Sequence, residues 1–244
     1  MDVYYIFHSG FMVENNGDCV IFDYYMGKLS DNWKTPVARD PGSYNSITVF
    51  SSHVHGDHFN PCIFSWVEER PGIRYVLSAD IGSEKAVVPK SCINNASFIS
   101  SGEGLEVNGF DVKAYGSTDA GVSFHVSKGG LSIFHAGDLN YWHWSDESTE
   151  AEIREAREMF DAEMSKIKKG IDRIDIAFFP VDPRMKTDYY RGAVLFCMEM
   201  RPKILIPMHF GKQFAPPPEF FHEVENFTRV VVPPSGKKGA KIDI

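Results

Sequence analysis

A chain of 244 residues, 43% hydrophobic and 24% charged, is ordinary globular material, long enough to bury a large core in one or two domains. Its formal charge of −8 without a long Lys/Arg block argues against a nucleic-acid surface, and four scattered cysteines (Cys19, Cys62, Cys92, Cys197) without a Cys-x-x-Cys pair read as buried reduced thiols. No apolar run reaches the ~18 residues of a membrane helix, and the first residues lack a basic region followed by an apolar one, so the expectation is a cytoplasmic protein with no membrane partner.

Tyr4–His8, Phe11–Glu14 and Cys19–Asp23 read as three short strands, separated by Ser9-Gly10 and by the hairpin signal Asn15-Asn16-Gly17. An antiparallel meander is therefore predicted. Residues 24–45, with Gly27, Pro36, Pro41 and Gly42, read as a surface loop of the length that often borders a pocket. The β-branched run Ile47-Thr48-Val49-Phe50 then delivers Ser52-His53-Val54-His55-Gly56-Asp57-His58, which holds four metal-binding groups within six residues. If the backbone stays extended through His55, the two-residue period puts His53 and His55 on one face, close enough to share a cation. Gly56 allows a sharp turn, so that Asp57 and His58 can face a second cation. The spacing predicts a dinuclear site. Asn60 can cap a following helix with Pro61 at its first position and Ile63, Phe64, Trp66 and Val67 on its apolar face.

Ile73–Leu77, Ser97–Ile99 and Phe110–Tyr115 read as further strands. Val122, Phe124 and Val126 alternate with Ser123, His125 and Ser127, which predicts His125 as a surface residue. Leu131–Phe134 is a strand running into His135-Ala136-Gly137-Asp138, followed by Tyr141, Trp142, His143 and Trp144. Those four side chains either line a pocket, with His143 as a proton donor or substitute ligand, or pack together beneath a loop. From Thr149 to Lys169 every signal is helical: a Thr149/Glu152 capping box, one face of Ile153, Ala156, Phe160, Met164 and Ile167, and acidic and basic ends that match the macrodipole. Ile174–Phe179 is a buried strand, Gly192–Met200 a packed helix, and Lys203–Met208 a strand that ends on His209. His222 reads as a surface helix residue and Lys237-Lys238 as a solvated end.

The His53-x-His55-x-Asp57-His58 segment, between a strand and a helix start, resembles the signature of the metallo-β-lactamase superfamily, and motifs from His8 to Gly211 follow in family order. His135-Ala136-Gly137-Asp138 resembles the element whose aspartate bridges both metals, the other reading of Asp138 being a turn aspartate. Ile206-Pro207-Met208-His209 followed by Phe210-Gly211 looks like the closing motif of the ascorbate-6-phosphate lactonase-like branch, where the histidine completes the second metal site. In that branch a histidine ending the first strand and an aspartate ending the third lie near the metals; they look similar to His8 and Asp23, which otherwise read as turn residues. The resemblance implies an α/β fold, an αββα four-layer sandwich with two mixed β-sheets and the metals at one edge, formed by a single domain over residues 1–244. One position fails. The usual third histidine of the first site should lie within Gly116–Gly121, which contains none and leaves water or Asp119 as the substitute ligand.

The expected function is a metal-dependent hydrolase in which one or two divalent ions activate water to cleave an ester, lactone or phosphoester bond of a small, anionic molecule. Zinc is the first choice and manganese or iron the next. Metal ligands are expected at His53, His55, Asp57, His58, Asp138 and His209, with Asp57 also orienting or deprotonating the water, and His8, Asp23, Tyr141 and Trp142 around the pocket. The alternative is a metal-binding recognition or interaction protein without turnover. No nucleic-acid partner is expected, and a homo-oligomer is allowed.

Overall fold

Two mixed sheets of seven strands each form the centre of a computed structural model that describes residues 1–26, 43–83, 88–211, 216–234 and 238–244. The expected loop features at Gly27, Pro36, Pro41 and Gly42, and Lys237, lie outside the described residues. The first sheet contains β1 (Asp2–Phe7), β2 (Gly10–Asn15), β3 (Asp18–Phe22), β4 (Ser46–Ser51), β5 (Arg74–Ser78) and β6 (Ala96–Ile99). The second contains β7 (Gly104–Val107), β8 (Phe110–Gly116), β9 (Val122–Lys128), β10 (Leu131–His135), β11 (Ile176–Pro180), β12 (Ile204–Met208) and β13 (Arg229–Val230), while β14 (Ala240–Ile242) returns to the first sheet beside β1. Each sheet starts as an antiparallel meander and becomes parallel, from β3 to β6 in one and from β10 to β13 in the other.

The two-residue side-chain period decides how the layers stack. Tyr5, Phe11, Val13, Val20, Phe22, Phe50 and Val76 turn one face of the first sheet toward the second, where they meet Phe124, Ile133 and Phe178. Their neighbours Met12, Cys19, Ile21, Val49, Tyr75 and Leu77 fill the opposite face, covered by Ile63 and Phe64 of a 3-10 turn (Pro61–Ser65), Trp66 of helix α1 (Trp66–Glu69) and Ile81 of helix α2 (Ala79–Ser83). Asn60 accepts the Cys62 N–H at 2.9 Å, as its capping role requires. On the far side α3 (Glu150–Gly170), α4 (Arg191–Met200) and α5 (Pro218–Val224) cover the second sheet; Phe196 of α4 stacks on Phe134 and Phe179 at centroid distances of 5.2 and 4.6 Å. The result is the expected αββα order.

The Thr149/Glu152 capping box is formed in both directions at the start of α3. Gly170 is its last helical residue, and a Cβ there would lie 2.3 Å from the Tyr115 hydroxyl, so the position is glycine for close approach. One surface expectation is corrected: His125 is half-buried, with Nε2 2.8 Å from the Ser132 hydroxyl, because β9 and β10 pair so as to place Ser132 within reach. All four cysteines are free, three of them buried. Among the described residues no helix is long and apolar enough to cross a membrane.

Candidate metal centre

The carboxyl ends of the parallel strands gather at one edge of the sandwich, the place where open α/β sheets offer a crevice. His8 follows β1, Asp23 follows β3, His53 to His58 follow β4, Asp138 follows β10, Asp182 and Arg184 follow β11, and His209 follows β12. His8, Asp23 and His209 leave their strands with φ of 55°, 45° and 65°, a left-handed conformation uncommon outside glycine and concentrated at functional sites. The His209 N–H donates to the His8 carbonyl at 3.2 Å, joining the two sheets at this edge. Gly137 (φ 54°) makes the turn that presents Asp138; a Cβ there would stand 2.7 Å from the Val122 carbonyl. Between His55 and His58 the loop closes on itself, the His58 and Phe59 N–H groups both donating to the His55 carbonyl.

Two groups of ligand-type atoms result: His8, Asp57, His58 and His209 in one, and His53, His55 and Asp138 in the other, each mutually within 4.8 Å. The Asp138 carboxylate stands between them. Its Oδ1 is 3.1 Å from Nε2 of both His58 and His209, and its Oδ2 is 3.3 Å from Nε2 of His53. Nε2 of His8, His53, His58 and His209 and Oδ1 of Asp138 are all buried without a hydrogen-bond partner, an arrangement that costs free energy unless a cation accepts those lone pairs.

The other ring nitrogens explain which lone pairs converge. His58 Nδ1–H donates to Asp23 Oδ2 at 2.7 Å, and His209 Nδ1–H donates to Asp182 Oδ2 at 3.0 Å. His8 Nδ1 lies 3.3 Å from the Phe210 carbonyl and His53 Nδ1 3.0 Å from the Ser52 hydroxyl. Asp23 is fixed in turn by the Ser52 N–H (2.8 Å) and hydroxyl (2.7 Å). A proton held at Nδ1 leaves Nε2 as the ligand atom, so imidazoles and carboxylates present a donor set that fits divalent transition ions.

The charges agree with that fit. Burial alone would lower the His58 pKa, but Asp138 and Asp23 on its two sides outweigh it and push it up to about 10. Burial opposes ionisation of Asp138, yet the surrounding histidines, His58 foremost, hold its carboxyl well below the usual range. Asp182 behaves alike: burial is overcome by its bonds to His209 and Arg184, which bring it to about 2. The His8 imidazole, with Nε2 3.4 Å from its Oδ2, depresses Asp57 further than burial raises it. At neutral pH the centre is thus a ring of ionised carboxylates that favours positive charge.

Above it opens a cavity of about 370 Å³, lined by His55, Asp57, Thr118, Asp119, Asp138, Trp142, Trp144, Arg184 and His209. All six residues expected as ligands come together here, and His8 joins them in the group with Asp57, His58 and His209. Asp23 lies fully buried beneath His58 and out of the cavity. Asp119 is exposed on the wall and outside both groups. In its loop, Gly121 (φ 66°) presses against the His53 strand end, where a Cβ would be 2.0 Å from the Ser52 carbonyl.

Trp142 lines the cavity and donates its indole N–H to the Asp138 carbonyl at 2.9 Å. Tyr141 does not line it: its hydroxyl lies 3.4 Å from the Ile153 carbonyl and its ring packs toward Phe160. His143 is also a correction. Its Nδ1 accepts the Ser145 N–H and its Nε2 donates to the Asp188 carbonyl, both at 3.2 Å, so the ring is spent on holding its own loop and has no nitrogen left for catalysis or ligation. Asp182 and Arg184 were not anticipated; the signal that could have found them is their position just past the carboxyl end of a buried parallel strand.

A family model described as a beta-lactamase superfamily domain matches residues 2–154. The chain is 25% identical over 210 residues to the UPF0173 metal-dependent hydrolase of Nitratidesulfovibrio vulgaris, covering 84% of this chain and 77% of that one. A metallo hydrolase from Ignicoccus hospitalis shares its fold with a TM-score of 0.64 at 18% identity, over 100% of this chain and 99% of the other. So does CmlA, a diiron β-hydroxylase from Streptomyces venezuelae, with a TM-score of 0.67 at 11% identity over 100% of this chain and 54% of the other.

Proposed function

This chain belongs to the metallo-β-lactamase superfamily, and on that premise we propose that it is a metal-dependent hydrolase cleaving an ester, lactone or phosphoester bond of a small molecule. The observation that carries the reading is the divided Asp138 carboxylate, with Oδ1 toward His58 and His209 and Oδ2 toward His53. One carboxylate between two donor groups suits two cations, one oxygen to each. His8, Asp57, His58 and His209 would hold one ion, and His53, His55 and Asp138 the other. When bound, such ions lower the pKa of a water and polarise the carbonyl or phosphoryl oxygen under attack.

The protein's own groups do the remaining work. Asp57, ionised at neutral pH with its side chain 45% exposed on the cavity wall, accepts a hydrogen bond from the attacking water and orients it. Asp23 and Asp182 hold His58 and His209 in one tautomer. Trp142 and Trp144 wall one side against bulk water. Imidazole with carboxylate suits zinc first; iron is the alternative that the diiron CmlA neighbour supports, and manganese the third. We read residues 1–244 as a single domain, since both sheets share one core.

The test is metal analysis of the purified protein followed by a screen of lactones, phosphodiesters and carboxylic esters. Expected is bound transition metal and turnover that a chelator removes and metal restores. Metal-replete protein without turnover on any class would overturn the hydrolase reading in favour of a ligand-binding module.

A further inference from the structure

Arg184 is the only Lys or Arg among the described residues lining the cavity, where Asp57, Asp119 and Asp138 also stand. Asp182 fixes it. Arg184 Nε donates to the two carboxylate oxygens of Asp182 at 3.0 and 2.9 Å, and Nη2 donates to Oδ2 at 2.6 Å. Nη2 also lies 3.3 Å from Nδ1 of His209, but that nitrogen already gives its proton to Asp182 and has no lone pair to offer. The guanidinium is therefore anchored one imidazole ring away from Asp138, to which His209 Nε2 comes within 3.1 Å.

An arginine carries five N–H donors in a rigid fork. Asp182 engages one edge of that fork; no acceptor among the described residues meets Nη1, and the side chain is 61% exposed. Beside it on the wall stand Trp142 and Trp144, two nearly parallel indoles (15°) with centroids 6.3 Å apart. A pre-oriented planar cation next to flat apolar surface matches an organic anion with an apolar body, because the remaining N–H groups can pair with a carboxylate or phosphate in bidentate fashion.

We propose that Arg184 is a specificity-determining residue that binds a carboxylate or phosphate group on the substrate while Trp142 and Trp144 take its apolar part, so that the cavity selects organic anions over neutral molecules of the same shape. The proposal rests on the hydrolase reading for what is cleaved, though not for what is bound. It also gives Asp182 a double office, since one carboxylate orients both a candidate metal ligand and the anion-binding fork.

The test titrates purified protein of measured metal content with benzoate, phenyl phosphate and benzamide at constant ionic strength, followed by calorimetry and tryptophan fluorescence. Benzoate and phenyl phosphate are expected to bind at least about tenfold more tightly than benzamide, and the stronger of the two identifies the preferred anion. Arg184→Met should lose about tenfold or more of that anion affinity with benzamide binding unchanged. Arg184→Gln, which keeps a polar planar group against Asp182, should behave alike and guards against a folding defect in the first variant. Wild-type protein that does not discriminate, or variants of unchanged metal content that bind the anions as wild type does, would overturn the proposal. None of these readouts needs turnover, so a failed hydrolysis screen and a failed anion site remain separate results.

Discussion

Asp23 accepts a 2.7 Å hydrogen bond from Nδ1 of His58 with both side chains fully shielded from solvent, and the same pattern recurs between Asp182 and His209 at 3.0 Å. One carboxylate leaves β3 in the first sheet and the other follows β11 in the second, yet each turns one histidine Nε2 toward Asp138. These outer carboxylates set the direction of the inner donors.

Removing the outer charge while keeping the shape should therefore weaken metal binding. Asp23→Asn and Asp182→Asn are each expected to lower affinity by about 10- to 100-fold, measured by competition with a chelating dye. Wild-type affinity in both variants would contradict the orienting role.

Asp138→Ala should strip both ions, because its oxygens face both donor groups, whereas His55→Ala should cost only the ion shared with His53. Asp119→Ala should leave occupancy unchanged, since Asp119 stands outside both groups. Native mass spectrometry counts the ions per chain and separates the three outcomes.

His143→Ala should lower the melting temperature while metal content and any turnover per folded molecule persist. The ring's two backbone hydrogen bonds, to Ser145 and Asp188, put the loss at about 1–3 kcal/mol. Loss of metal at unchanged stability would reverse the assignment.

Asp175, at the opposite end of β11 from the centre, gives a pH signature of its own. It pairs with Arg173 (2.6 Å) and Lys203 (2.8 Å) and accepts the Ser132 N–H, and these bonds outweigh burial to hold its carboxyl below the ordinary 3.8. The folded state then binds this proton less readily than the unfolded chain, so the contribution is complete above pH 3.8 and fades as pH falls through the lowered value. Asp175→Asn should cost about 1 kcal/mol at neutral pH. Thermal melts should show that gap closing in acid; a gap that stays constant or widens below pH 3.8 would contradict the linkage.

The ligand-type residues that meet at this edge are legible where chemistry is concentrated in sequence. His53, His55, Asp57 and His58 sit in one short run after a strand, and Asp138 and His209 each end one, so strand periodicity and residue type sufficed. His8 was harder, because a lone histidine at a strand end is equally a turn residue until the other sheet brings His209 beside it, ring centroids 4.2 Å apart. Asp182 acts through His209, a partner that only the tertiary fold supplies, and Arg184 leans on Asp182; residue type alone does not separate them from a proline-flanked turn, and only their place just past a buried strand marks them. His143 misled for the opposite reason: nearness in sequence to Asp138 says nothing about which way a ring points, and the backbone of its own loop claimed both nitrogens. Thr149–Gly170 was legible nearly to the residue because its cap, apolar stripe and end charges are all local.

The backbone bond from His209 to His8 ties a strand of one sheet to a strand of the other at the rim of the cavity. Donors are drawn from both sides of that seam, His8, Asp57 and His58 from the first sheet and Asp138 and His209 from the second. Neither sheet supplies all the donors of either group, so an ion seated there would act as a rivet between layers and its binding energy would count toward keeping the sandwich shut. Occupancy would then raise unfolding free energy by RT ln(1 + [L]/Kd), about 2.7 kcal/mol at a hundredfold excess over Kd, and the rim of the seam is where amide exchange is expected to quicken first on withdrawal of the ion.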